Sequence, residues 1–335
     1  MAERGAKLVA LDLSGSAVLV TGGTGSLANA LVPYLLARGV PSIRLYSRGE
    51  HAQNDMKRRF KAHLNRLRFI IGDVRDIDKL RRAMNGCKTV IHTAALKDIV
   101  TCAHNPDECK RTNIDGSDNV REASIQEGVR YVVGISSDKV GEAQTVYGAS
   151  KGFMEQEFTV ASNTCGGRTL FSCTRNGNVI GSRGSILPLL KEQRKNGEVT
   201  LTDDRMTRFW LPIAWAAESV LFALDNMRGG EVFIRKAPSA RMMDLIEAVA
   251  PGCVIKRIGI REQEKLHEVL VTNDESPRTR DAGDYYVIEP SASNRAWGRE
   301  PMDHWPIMAA RRYDSVSNDW KVTRQQFIAD AEAAV

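Results

Sequence analysis

The chain predicts a parallel, doubly wound α/β sheet with a smaller C-terminal lobe, and three observations lead there. Short β-rich runs alternate with helical stretches through the first half. A glycine-rich turn joins the first run to its helix. After Asn176 the periodicity breaks into shorter segments interrupted by glycine, proline and charge. Strands that alternate with helices are joined by crossovers, which pair the strands in parallel. With 335 residues, 42% of them apolar, the chain is long enough to bury one large α/β unit or such a unit with a second lobe.

Taken in order, Ala17-Val-Leu-Val20 reads as a buried first strand, followed by the glycine turn and an apolar helix to about Arg38. Ser42-Ile-Arg-Leu-Tyr46 is the second strand. Leu67-Arg-Phe-Ile-Ile71, Thr89-Val-Ile-His92 and Tyr131-Val-Val-Gly-Ile135 continue the series, with helices between them. The predicted division is a nucleotide-binding domain over 1–175 and a mainly substrate-binding lobe over 176–335, with some later segments returning to the first core. In such folds the ligand lies beyond the carboxyl ends of the strands.

Composition narrows the partners. Net charge is +6 with 26% charged residues, a mild basic excess that suits an anionic substrate. Aromatics are 6%, without arginine–aromatic interleaving, which argues against nucleic acid. Six cysteines occur, none in a C-x-x-C pair or a His/Cys cluster, so thiols and no metal site are expected. No run is apolar enough to span a membrane and no signal-peptide core is visible, so the expectation is a cytoplasmic protein without a membrane partner.

The turn Thr21-Gly-Gly-Thr-Gly-Ser-Leu-Ala28 follows the first strand and opens a helix. Glycines there permit a tight turn and a close approach of the backbone to a pyrophosphate, and the helix N-terminus supplies N–H groups. Gly22, Thr24, Gly25, Ser26 and Leu27 are therefore cofactor candidates. The second strand ends in Ser47-Arg48, a hydroxyl and a guanidinium that suit a ribose 2′-phosphate better than a free 2′-hydroxyl. That favours NADP over NAD. Asp73 and Val74, after the third strand, are placed for the adenine.

Tyr147-Gly-Ala-Ser-Lys151 puts a phenol and an ammonium on one face of a helix. A lysine cation lowers a phenol pKa, so Tyr147 can take a proton from a substrate hydroxyl as hydride leaves. Ser137, ten residues earlier, can bond the same oxygen. Asp138-Lys139 adds a second acid–base couple, which a plain dehydrogenase does not need but loss of water does. On this reading the lysine is a base whose pKa is depressed by nearby positive charge. Taken alone, the couple reads equally well as a surface ion pair.

These motifs together resemble the inverting UDP-N-acetylglucosamine 4,6-dehydratases of the extended short-chain dehydrogenase/reductase superfamily, whose best-known members open pseudaminic acid biosynthesis. The similarity runs from about Val18 to Pro290. It is carried by Tyr46-Ser-Arg48, Ile71-Gly-Asp-Val-Arg-Asp76, Ala94-Ala-Leu-Lys97, Ser137-Asp-Lys139, Tyr147-Gly-Ala-Ser-Lys151 and Gly177-Asn-Val-Ile-Gly-Ser-Arg-Gly-Ser185. Thr202-Asp-Asp-Arg-Met-Thr-Arg-Phe-Trp210 and Gly259-Ile-Arg-Glu-Gln-Glu-Lys-Leu-His-Glu268 complete it.

The resemblance implies a Rossmann-type fold and a tightly bound NADP recycled in each turnover. It implies C4 oxidation by Tyr147 and Lys151, removal of the C5 proton by Lys139, and protonation of the leaving C6 hydroxyl by Asp138. Ala94 and Ala95 fall to the cofactor. Lys97, Asn178, Arg205, Thr207, Arg208, Arg261 and Glu264 fall to the UDP-sugar. A homo-oligomer, dimer or hexamer, is implied as well. Three places depart from the family pattern: Asp98 for histidine, Asn176 for tyrosine, and the loop Gly141-Glu-Ala-Gln-Thr145. Alternative readings are a UDP-sugar 4-epimerase, a 5,6-dehydratase, or a non-catalytic NADP-binding protein.

Overall fold

A computed structural model describes residues 10–182, 184–260 and 264–333. Six parallel strands form its centre: β1 (Ala17–Thr21), β2 (Ile43–Ser47), β3 (Leu67–Ile71), β4 (Cys87–His92), β5 (Tyr131–Ser137) and β6 (Leu170–Asn176). Between them run α1 (Ser26–Ala37), α2 (Glu50–Arg59), α3 (Ile77–Met84), α4 (Ile99–His104), α5 (Pro106–Lys110), α6 (Gly116–Gln126) and α7 (Val146–Thr164). The order across the sheet is β3-β2-β1-β4-β5-β6, then the strands Val232–Arg235, Tyr285–Ile288 and Thr279–Asp281. The first of these three joins β6 in parallel, and the last two close the edge antiparallel.

Alternation decides the two faces. Val18 and Val20 point to one side, against Leu31 and Leu35 of α1 and Val220 of the helix Ile213–Asn226. Leu19 and Val90 point to the other, with Leu80 of α3, Val120 of α6, and Met154 and Phe158 of α7. Both faces are covered, which is why β1 is buried at every position and reads as an unbroken apolar run.

β1 and β4 lie side by side in parallel while the strand order runs outward from them in opposite senses, so a crevice opens beyond their carboxyl ends. Over that edge sits a third cluster of buried apolar residues. It includes Leu187, Leu190, Val199, Trp210, Leu245 and Phe327, around the small sheet of Asn178–Ile180, Thr207–Pro212 and Ser239–Arg241. The C-terminal helix Arg324–Ala333 docks here: Phe327 meets Trp210 edge-on at 5.1 Å, and Trp210 Nε1 donates to Asp330 at 2.7 Å. The basic run from Lys57 to Lys61 lies on and just after α2, with Arg58, Arg59 and Lys61 exposed.

Candidate active site

A cleft of about 580 Å³ lies at the crevice. Gly22 begins its floor. Its φ of +64° favours glycine, and a Cβ would stand 2.7 Å from Thr93 Oγ1 and 2.8 Å from the Ala94 nitrogen. Helix α1 then starts at Gly25 with no side-chain cap, and Gly25, Ser26 and Leu27 line the cleft beside it. Backbone and helix N-terminus together present the kind of surface that can receive a phosphate group.

The cleft wall continues through Thr24, Ser47, Arg48, Asp73, Val74, Ala94 and Ala95, and closes on Ser137, Tyr147 and Lys151. Every residue expected to hold the cofactor therefore borders one space. At one end Arg48 is 62% exposed, with its guanidinium 3.9 Å from Asp73. Asp73 is tied to Arg75 at 2.7 Å; burial raises its pKa, and the bonds from Arg75 and the charge of Arg48 bring it below the usual value.

Several buried groups, unforeseen from sequence, shape the other end. Asn113 sits in a π-helical turn, Arg111–Asp115. It takes the Leu96 N–H at 2.7 Å and donates to the Leu96 carbonyl at 2.8 Å and to Ser150 Oγ at 2.9 Å. It thereby fastens the segment Ala94–Lys97 to α7. His92 bridges Thr21 and Ser117 at 2.7 and 3.0 Å, and burial, with the charge of Lys151, pushes its pKa down to about 3. A fully buried polar side chain so bonded, with no reach into the cleft among its bonds, fixes β1, β4 and α6 together.

Tyr147 and Lys151 are one turn apart on α7, whose first turn is capped by Thr145 through the Gly148 N–H at 2.8 Å. Burial pushes the Lys151 pKa down to about 8, and its ammonium lies 3.3 Å from the Met154 sulfur. The expected lowering of the Tyr147 phenol by its lysine is overturned: burial raises it well above its usual value, a hydrogen bond with Ser137 works against this, and the charge of Asp138 adds to it.

Asp138 and Lys139 follow directly from β5. They are no surface pair: their side chains are 2% and 13% exposed. Asp138 Oδ1 accepts from Ser137 Oγ at 3.0 Å and from Lys139 Nζ at 2.9 Å. Gly148 packs so tightly on this turn that a Cβ would stand 2.3 Å from the Lys139 carbonyl. The expected depression of Lys139 is overturned. Although burial and Arg208 push its pKa down, Asp138 and Glu268 outweigh them and raise it.

Glu268 is the residue sequence reasoning left without a role. It closes the Gly259–Glu268 stretch, is 1% exposed, and meets Lys139 Nζ at 2.8 Å. Arg208 Nε stands 3.6 Å from the same oxygen, and Lys265 Nζ 3.8 Å from the other. The acid at the end of a matched stretch was the available signal.

The remaining substrate candidates scatter. Lys97 borders the cleft and reaches Ser182 Oγ at 3.5 Å. Asn178 opens its strand with a buried Oδ1 that makes no hydrogen bond among the described residues. Arg208 is buried, donating to the carbonyls of Thr207, Leu266 and Lys265, and lies 3.5 Å from Glu264. Thr207 bonds His267 and Ser315 at 2.8 and 2.7 Å. Arg205 is 69% exposed and forked on Asp203. Arg261 lies outside the described residues. Of the departures, Asp98 caps α4 by accepting from the Thr101 N–H at 2.7 Å, Asn176 borders the cleft, and Gly141 accepts a bond from Lys265 Nζ.

Comparison with known proteins places this architecture. Residues 18–290 match the family described as polysaccharide biosynthesis protein, and the chain belongs to that family. It is 42% identical over 83% of its length, and 84% of the relative's, to the UDP-N-acetylglucosamine 4,6-dehydratase (inverting) of Campylobacter jejuni strain 81-176. It is 37% identical over 81% of its length, and 82% of theirs, to UDP-glucose 4-epimerases of Rickettsia species such as Rickettsia prowazekii. The X-ray structure of Pen from Bacillus thuringiensis matches with a TM-score of 0.85 at 31% identity, covering 95% of this chain and 98% of that one. DesIV, a dTDP-glucose 4,6-dehydratase of Streptomyces venezuelae, shares the fold at a TM-score of 0.68 and 22% identity, over 75% and 86% of the two chains. Among the described residues no helix is long and apolar enough to cross a membrane, and no His/Cys/Asp/Glu group could hold a metal.

Proposed function

We propose that the protein is an NADP-dependent UDP-N-acetylglucosamine 4,6-dehydratase that inverts C5. The observation that carries this reading is the buried Asp138–Lys139 couple, 2.9 Å across and linked through Ser137 to the Tyr147 end of the cleft. The 42% identity to an inverting dehydratase supports it.

Gly22, Gly25, Ser26 and Leu27 would hold the pyrophosphate of a dinucleotide, Ser47 and Arg48 the 2′-phosphate, Asp73 and Val74 the adenine, and Ala94, Ala95, Tyr147 and Lys151 the nicotinamide end. The nicotinamide supplies a hydride acceptor for C4 and a hydride donor for C6. Tyr147 takes the proton of the C4 hydroxyl, with Ser137 bonding the same oxygen and Lys151 offsetting the charge. The C4 ketone acidifies C5–H. Lys139 as amine takes that proton, the C5–H electrons form the C5–C6 double bond, and the C6–O bond breaks as Asp138 gives its proton to the departing oxygen. Water leaves, and C5 is reprotonated on the opposite face. Lys97, which borders the cleft, would bind the sugar nucleotide together with Asn178 and Glu264, and Arg208 would order the Lys265–Glu268 segment as well as add positive charge. Arg205 and Arg261 are proposed to reach the diphosphate.

A 4-epimerase is the second reading, favoured by the 37% identity to UDP-glucose 4-epimerases. Proton NMR of UDP-N-acetylglucosamine turnover in D2O separates the two. A 4-keto-6-deoxy product of L-arabino configuration with deuterium at C5 is expected. A C4 epimer retaining its C6 hydroxyl and its C5 protium would replace the dehydratase with the epimerase. An exocyclic 5,6-alkene as final product would move it to the 5,6-dehydratases, and bound NADP without turnover of any UDP-sugar would leave a non-catalytic binder.

A further inference from the structure

Lys139 Nζ is gripped from two sides, by Asp138 Oδ1 at 2.9 Å and Glu268 Oε1 at 2.8 Å. The elimination step needs only one of these carboxylates, the Asp138 acid. The second is costly. Glu268 is 1% exposed, its Oε2 makes no hydrogen bond among the described residues, and an ionised carboxylate there is tolerated only because Lys139, Arg208 and Lys265 surround it. The chain also invests in holding it still. The Glu268 N–H donates to Ser315 Oγ at 2.9 Å, Ser315 bonds Thr207, and Val269 abuts Gly141 so closely that a Cβ there would lie 2.5 Å from the Val269 carbonyl. A buried acid held this firmly against a proposed base has a bearing on what that base does with its proton.

We propose that Glu268 is a positioning residue that fixes the C5 outcome: with Asp138 it clamps the Lys139 ammonium once the C5 proton has been taken, so that this proton is not returned to the same face. The inference rests on the dehydratase reading. When Lys139 accepts the proton, the C5–H bond breaks, an N–H bond forms, and Asp138 has just lost its own proton to the leaving water. The new ammonium then lies between two carboxylates. An ammonium held in this way is a poor acid, and its return of the proton to C5 slows accordingly. Once C6 has received its hydride, C5 holds the electron pair conjugated with the C4 ketone and takes a solvent-derived proton from the other side, which is inversion. The pKa of Glu268 is itself raised: burial pushes it up and the charge of Asp138 adds to this, while Lys139 and Arg208 pull it back only in part. Arg208 and Lys265, 3.6 and 3.8 Å away, are the further cations that favour its charged form.

The test is Glu268→Gln, which keeps shape and removes the charge, with Glu268→Asp, which keeps the charge and draws it back by one methylene. Holoenzyme variants are incubated with UDP-N-acetylglucosamine in D2O, and the product is read for C5 configuration and C5 isotope. An opposite charge within about 4–6 Å changes proton affinity by about 1–3 pH units, so same-face return should rise roughly 10-fold or more in Glu268→Gln. The expected result is a D-xylo fraction, absent from wild type, that retains part of its C5 protium, since the ammonium formed in D2O carries the former C5 proton beside two deuterons, and a smaller such fraction in Glu268→Asp. Unchanged configuration and isotope content in folded, cofactor-retaining Glu268→Gln would overturn the proposal, as would a fall in rate alone. Should Glu268→Gln fail to retain cofactor, an unchanged partition in Glu268→Asp overturns it equally. A wild type that makes no 4-keto-6-deoxy product fails the dehydratase reading instead, a distinct outcome from either variant result.

Discussion

Lys151→Met isolates the cost of burying the lysine that accompanies Tyr147. The Lys151 side chain is 2% exposed, and burial lowers its pKa from 10.5 to about 8, with Cys173, Glu155 and Cys109 working weakly the other way. At 1.36 kcal/mol per pH unit, that interval corresponds to about 3 kcal/mol. The sign follows from proton counting. Below pH 8 the lysine is charged in both folded and unfolded chains, and the folded state bears the full cost. Between about 8 and 10.5 the unfolded chain binds the extra proton, so stability from this group rises with pH. Above 10.5 the cost is gone. Methionine keeps the apolar stem beside Met154 and drops the charge. Cofactor-free Lys151→Met is therefore expected to exceed wild type by about 3 kcal/mol at pH 7, roughly 4 °C for a chain of this length. The gap should shrink towards pH 10.5. Denaturant and thermal unfolding of both proteins across that range measure it, and taking the difference cancels every other titrating group. Parallel curves with no advantage at pH 7 would refute the burial argument. Turnover should fall about 100-fold or more at every pH, since the charge that offsets the Tyr147 phenolate is lost.

Other substitutions probe separate parts of the site. Arg48→Ala should weaken NADP binding about 10-fold and leave NAD binding nearly unchanged, measured by fluorescence titration; an equal loss for both would remove the 2′-phosphate role. Gly148→Ala places a Cβ 2.3 Å from the Lys139 carbonyl, so the Asp138–Lys139 turn must move. Turnover is expected to drop about 10-fold or more with cofactor affinity retained, although alanine is ordinarily the better helix residue. Glu155→Gln breaks the buried bond to Arg175, whose Nη2 lies 2.6 Å from the carboxylate, and should cost about 3 kcal/mol in urea unfolding. Arg175 retains Glu275 at 2.8 Å, so the loss should stay short of complete unfolding.

The parallel core was legible because its strands are covered on both faces. Such strands lose their polar positions and become plain apolar runs, as β1 does, buried at every position; β3, at the sheet edge with Arg68 and Ile71 exposed, still falls at the expected residues Leu67–Ile71. β5 extends two residues further, to Ser137, because Ser136 and Ser137 continue the pairing with Arg175 and Asn176 while looking polar. Local motifs told their neighbours: the glycine turn and Tyr147/Lys151 each act within one turn of chain. The failures lie where a charge depends on a distant partner. Arg205 and Arg208 are three residues apart and equally basic in sequence, yet one is forked on Asp203 in solvent and the other is buried against Glu264 and Glu268.

The same reason explains Lys139. From sequence its visible company is Asp138 and the nearby Lys151, and the choice between a depressed base and a surface pair stays open. The structure brings Glu268 from the C-terminal part to within 2.8 Å and reverses the expectation, since two carboxylates favour the ammonium. That does not remove Lys139 as a base. One proton moved from Lys139 to Asp138 across 2.9 Å yields an amine and a carboxylic acid without a proton from solvent. That is the pair an elimination needs, and return of the C5 proton from the new ammonium is what the proposed clamp then resists. The high proton affinity makes the amine scarce but, once it has acted, makes the proton hard to return. A site that only had to eliminate water would be better served by a lysine with one carboxylate. Two carboxylates suit a site that must also control on which face the proton comes back.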